Sequence, residues 1–210
     1  MKKPERHFPL VLEDEDRSVS SIKVQGSATR ALIGATIGFF VGFAAVSLFG
    51  PTAILLQEAM GLSPLQVGFL VAVPSATGSL LRIPFGAWVD TTGGCKPFTI
   101  LLILSALGMA GLLLLLGTSY PDKLTSAHFP LIIILGMLAG CGIATFSVGI
   151  GQITYWYPQA RQGQVLAMYA GLGNLAPGII ALLVPVLIGM TNLSLTYAVW
   201  LIILATGIAA

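Results

Sequence analysis

The chain has 210 residues, of which 10 are Lys or Arg and 8 are Asp or Glu, a charged share of 9% against roughly 25% in an ordinary soluble domain. With 56% hydrophobic residues and a mean hydropathy of +0.93, so few charges cannot cover a surface facing water. That excludes a soluble enzyme, a nucleic-acid binder and a disordered chain, and leaves an all-α polytopic membrane protein. Placement is more informative than the net charge of +2. Residues 1–30 hold 11 of the charges, and the rest are Glu58, Arg82, Asp90, Lys96, Asp122, Lys123 and Arg161.

In chain order, residues 1–30 read as a solvated polar tail with no secretory signal, because no apolar core of signal length or small-residue cleavage pattern is present. Six apolar runs follow, at about 31–57, 66–88, 97–117, 129–156, 163–190 and 195–210. A spanning helix needs roughly 20 mostly apolar residues, and the runs are too long and too unbroken to be strands. Turn chemistry separates them at Gly61–Pro64, Thr91–Pro97, Ser119–Ser126, Tyr157–Gln162 and Met190–Ser194. The last run is 16 residues, about 24 Å of helix against a hydrocarbon core of roughly 30 Å, and reads as cut off inside a helix.

Lys2, Lys3, Arg6, Arg17, Lys23, Arg30, Lys96 and Arg161 fall on one side of this topology and only Lys123 on the other, so the N-terminus is expected in the cytoplasm. Gly34, Gly38 and Gly42, and likewise Gly136, Gly140 and Ala144, recur every four residues and are read as faces where helix backbones approach closely. Cys95 and Cys141 are expected as free thiols. His7 and His128 are far apart, and no metal-ligand spacing is present.

Arg82 is the one charge left inside a span, in Leu80-Leu81-Arg82-Ile83-Pro84. A guanidinium at mid-membrane costs several kcal/mol and normally faces a cavity or a partner. No acid lies inside the spans, so an anionic ligand is the natural counter-charge, with a structural arginine bonded to carbonyls as the alternative. Counting about 1.5 Å per residue from the loops puts Arg82 about 16 Å deep and Phe146 and Asn174 about 18 Å deep from the same side. A flat fork of donors, an aromatic face and an amide at one level suit a planar oxyanion. Gly171-Leu172-Gly173-Asn174-Leu175-Ala176 matches a dinucleotide fingerprint in form only, since no strand precedes it. Gly171 and Gly173 are read instead as letting the fifth helix approach a neighbour or ligand, with Pro177 breaking that helix nearby. The loop Gly86…Asp90…Gly93…Lys96 suits a tight turn in which Asp90 accepts a bond from a helix N-terminus or a base.

That loop resembles the loop motif of the major facilitator superfamily, with Thr91 where the motif has Arg. Gly140-Cys141-Gly142, Phe146, Tyr155-Trp156-Tyr157-Pro158 and Gly171–Leu175, together with Leu81–Pro84, are similar to the nitrate/nitrite porter family within it, Ala176 standing for its last signature Gly. The resemblance implies that Arg82, Phe146 and Asn174, with Gly171 and Gly173, line a nitrate or nitrite site. It further implies a non-enzymatic, cofactor-free transporter in the bilayer working by alternating access. This chain would supply the six-helix N-terminal half, with a C-terminal six-helix half as partner. The alternatives are a facilitator for another small anion such as a carboxylate, or a non-transporting membrane fragment.

Overall fold

A computed structural model describes residues 26–209, and within them all regular structure is helical. The acidic run Glu13–Asp16 and most of the expected tail lie outside the described residues. Helix α1 (Ala28–Ser47) begins within the stretch read as tail, because Ser27 is a good N-cap: its hydroxyl accepts the Arg30 N–H at 3.3 Å. Helix α2 (Phe49–Met60) continues it after a break at Leu48. Pro51 explains the break, having no N–H to give the Ser47 carbonyl. Ser63 then caps α3 (Pro64–Thr92) in a capping box with Gln66.

Helix α4 is Cys95–Ser119, and the fourth span is α5 (Phe129–Gly140) and α6 (Thr145–Trp156) joined by a 3-10 turn over Cys141–Ala144. The fifth span is α7 (Gln159–Asn174) and α8 (Ala176–Met190), with Pro177 in the first turn of α8. Helix α9 is Leu193–Ala209. Five of these segments, Ala28–Met60, Pro64–Thr92, Cys95–Ser119, Ser126–Trp156 and Gln159–Met190, are long and apolar enough to cross a membrane, and Leu193–Ala209 is a shorter apolar helix. The protein is an all-α polytopic membrane protein.

Helix α1 is the hub and packs on α6, α7, α8 and α9. Its core side chains Phe39, Ala44 and Ala45 are almost fully buried, as is Leu48 at the break after it. Helix α4 lies against α5 and α9, and α3 against α5, the 3-10 turn and α6. Two buried hydrogen bonds tie distant spans: Ser105 donates to the Ala139 carbonyl at 2.8 Å, and the Thr52 and Tyr197 hydroxyls meet at 3.1 Å. The second and fifth spans are peripheral. In their most apolar stretches only 17% and 22% of residues are buried, against 56% in the first and fourth.

The glycine faces divide. Gly42 and Gly142 are where α1 crosses the 3-10 turn, a Cβ on Gly42 coming 2.8 Å from the Gly142 carbonyl oxygen. A Cβ on Gly140 would run into the Pro74 carbonyl of α3. Gly34, expected on the same packed face as Gly38 and Gly42, has nothing within 4 Å of a Cβ. Spacing aligns three glycines along one helix but does not dictate that a neighbour packs against each of them.

Candidate functional site

Arg82 lies within α3, two residues before Pro84, whose missing N–H and bulky ring also release the Leu80 carbonyl from the helix ladder. The arginine is half-buried. Its Cζ stands 4.8 Å from the centroid of the Phe146 ring, and its Nε is buried with no hydrogen-bond partner. A cation over an aromatic face is attracted by the ring quadrupole, more strongly where water is excluded. A buried guanidinium N–H without an acceptor is costly, and it marks where an acceptor belongs.

Phe146 is held by two residues that sequence reasoning missed. Phe39 of α1 packs at 5.2 Å between centroids, tilted by 51°. Tyr169 of α7 stacks on Phe146 at 6.1 Å and 16°. The Tyr169 hydroxyl donates to the carbonyls of Thr145, at 2.9 Å, and Phe146, at 3.2 Å. A tyrosine inside an apolar span was the available signal, since a buried O–H needs an acceptor. Which acceptor it finds is decided by the fold: the first turn of α6 presents these two carbonyls to α7. Four helices thus meet at one point, α3 supplying the charge, α6 the ring, and α1 and α7 its support.

The other expected site residues take different places. Asn174 ends α7 and is exposed, its side-chain amide donating to the Ala170 carbonyl one turn back at 2.7 Å. Gly171 is exposed with open space beside it. Gly173 is buried, and any Cβ there would overlap the Phe39 ring. Only Gly173 therefore serves close approach, and what it approaches is the aromatic support of Phe146.

At one end of the bundle, Gly93 closes α3 with φ +75°, a conformation that favours glycine, and its N–H bonds the Val89 carbonyl at 2.9 Å. Gly86 sits beside Ser147, and Lys96 is exposed in the first turn of α4. The hydrogen bond Asp90 accepts comes from the Tyr155 hydroxyl of α6, at 2.9 Å, rather than from a helix N-terminus or a base. With Thr91 beside it in place of a base, a neutral phenol across the loop is the donor within reach. Cys95 and Cys141 are both free thiols.

A bundle of apolar helices, five of them long enough to cross a membrane, defines the class of polytopic integral membrane proteins. The chain belongs to the Major Facilitator Superfamily, whose family model matches residues 35–210. Among its relatives, the nitrate/nitrite transporter NarU of Salmonella typhimurium is 29% identical over 167 residues, 79% of this chain and 35% of that protein. The probable nitrate transporter NarT of Staphylococcus aureus (strain JH9) is 28% identical over 171 residues, 81% of this chain and 41% of that protein. The chain thus spans well under half the length of the curated relatives it matches.

Proposed function

We propose that this chain is the N-terminal half of a nitrate/nitrite transporter, working by alternating access with a second six-helix half and with its N-terminus in the cytoplasm. The observation that carries the reading is the Arg82 guanidinium, set over the Phe146 ring with its Nε buried and unpartnered. A planar oxyanion accepts two parallel hydrogen bonds from such a fork and lies flat against an aromatic face. Its charge offsets the cost of an arginine inside the span. Rocking of two halves about a midplane site then exposes the anion to each side in turn. Asn174, Gly171 and Gly173 are proposed at the edge of this site. The sparse burial of the second and fifth spans supports a partner half covering them, and the names of the relatives support the choice of anion.

The experiment is uptake into proteoliposomes of the chain with a co-expressed C-terminal half from one of these relatives, and of the chain alone. Saturable nitrate uptake by the pair and none by the chain alone is expected. A pair that moves formate or oxalate and ignores nitrate and nitrite overturns the substrate. Uptake by the chain alone overturns its role as half of a transporter.

A further inference from the structure

Beside the Arg82 guanidinium the helix itself supplies one more hydrogen-bond donor. Side chains on an α-helix lean toward its N-terminus, so Arg82 covers the turn that precedes it, where Gly78 and Ser79 lie four and three residues back on its face. That turn is near the midpoint of Pro64–Thr92. Gly78 is closed off, since a Cβ there would run into the Gly140 carbonyl and stand 2.7 Å from the Ile143 Cβ. Ile143 thus marks the level of this turn on the fourth span, and Phe146, three residues on, leans its ring back toward it and under the Arg82 Cζ. Ser79 is the open position of the two. The hydroxyls of Ser75 and Thr77 donate to the Val71 and Val73 carbonyls of their own helix at 3.4 and 2.9 Å, whereas the Ser79 hydroxyl makes no hydrogen bond among the described residues. A serine inside a span that leaves its own helix carbonyl alone keeps its proton available to a ligand.

We propose that Ser79 is a second ligand of the anion held by Arg82, and the residue that makes the site favour nitrate over nitrite. This rests on the reading of Arg82 as a nitrate/nitrite site. A guanidinium fork engages two oxygens through parallel hydrogen bonds. Nitrite has no others, whereas nitrate keeps a third oxygen to which the Ser79 hydroxyl donates. When nitrite binds, that donor is left without an acceptor. A site discriminates through an unpaired polar group more sharply than through size, because the smaller ligand cannot supply the missing bond.

The test uses the full 210-residue chain in lipid nanodiscs with isotope-labelled arginine. It follows the Arg82 Nε–H resonance, assigned as the one lost in Arg82→Lys, while nitrate or nitrite replaces chloride at constant ionic strength. Nitrate is expected to bind about tenfold more tightly than nitrite, the scale of one hydrogen bond to a charged group. Ser79→Ala removes that preference by weakening nitrate and leaves nitrite unchanged, while Ser79→Thr, which keeps the hydroxyl, keeps the preference. Ser75→Ala, on the same face but with its hydroxyl engaged by its own helix, changes neither affinity. Equal binding of the two anions by the unmodified chain, an unchanged preference in Ser79→Ala, an equal weakening of both anions in that variant, loss of the preference in Ser79→Thr, or the same loss in Ser75→Ala would each overturn the role of Ser79 while leaving Arg82 as the anion site. An Arg82 resonance that answers to neither anion would overturn that site, and this proposal with it.

Discussion

The Tyr169 ring stacks on the Phe146 ring while the Tyr169 hydroxyl donates to the Phe146 carbonyl, so one residue of α7 fixes both the face and the backbone of the ring beneath Arg82. Tyr169→Phe keeps the stacking and removes the donor. Interhelical hydrogen bonds in membranes average about 0.6 kcal/mol and reach about 1.7. The variant is expected to insert normally, to melt slightly lower in detergent and to bind nitrate more weakly. Unchanged affinity alongside a lowered melting temperature would show that Tyr169 supports the fold alone.

Arg82→Lys keeps the charge and loses the planar fork. It is expected to abolish nitrate binding to the complete transporter while expression and membrane insertion stay at the level of the unmodified chain. Uptake assays on the co-expressed halves measure it, and uptake at the unmodified rate would sink the assigned role.

Gly171 and Gly173 are two residues apart and should answer differently to the same substitution. Gly173→Ala drives a methyl into the Phe39 ring, an overpacking that costs about 1–3 kcal/mol. Gly171→Ala meets open space and should leave stability level or raise it, since alanine is the better helix former. Thermal unfolding of the two variants separates them, and Phe39→Leu in the Gly173→Ala background should restore part of the loss.

Asp90 and Tyr155 share one exposed hydrogen bond across the end of the bundle. Asp90→Asn and Tyr155→Phe are each expected to leave stability within about 0.5 kcal/mol. If the bond holds α3 to α6 during transport, each single variant changes the uptake rate of the complete transporter, and the double variant changes it no further. Strictly additive effects on rate would mean that the two residues act separately.

Much of this protein follows from its sequence alone, because the quantities involved are local. The bilayer sets a length, so apolar runs separated by Gly, Pro and Ser turns declare themselves as spans. A charge is rare inside a span, so Arg82 stands out by composition, and a count of residues from the loops puts Phe146 near its level. Pro177 lies beside the break in the fifth span, as its missing N–H acts on its own helix, whereas Pro74, Pro84 and Pro185 sit inside continuous helices. Side-chain partners are a different matter, since they depend on where separate helices cross. Spacing made Gly34 and Gly42 equivalent, yet Gly42 crosses the backbone of Gly142 and Gly34 has nothing within 4 Å of a Cβ. Asp90 found Tyr155, 65 residues away, and Phe146 found Phe39 and Tyr169 from two other helices. In a bilayer an apolar face has the same appetite for lipid as for a neighbouring helix, so patterning fixes which segments enter the membrane, and close packing of the assembled bundle alone decides which side chains meet.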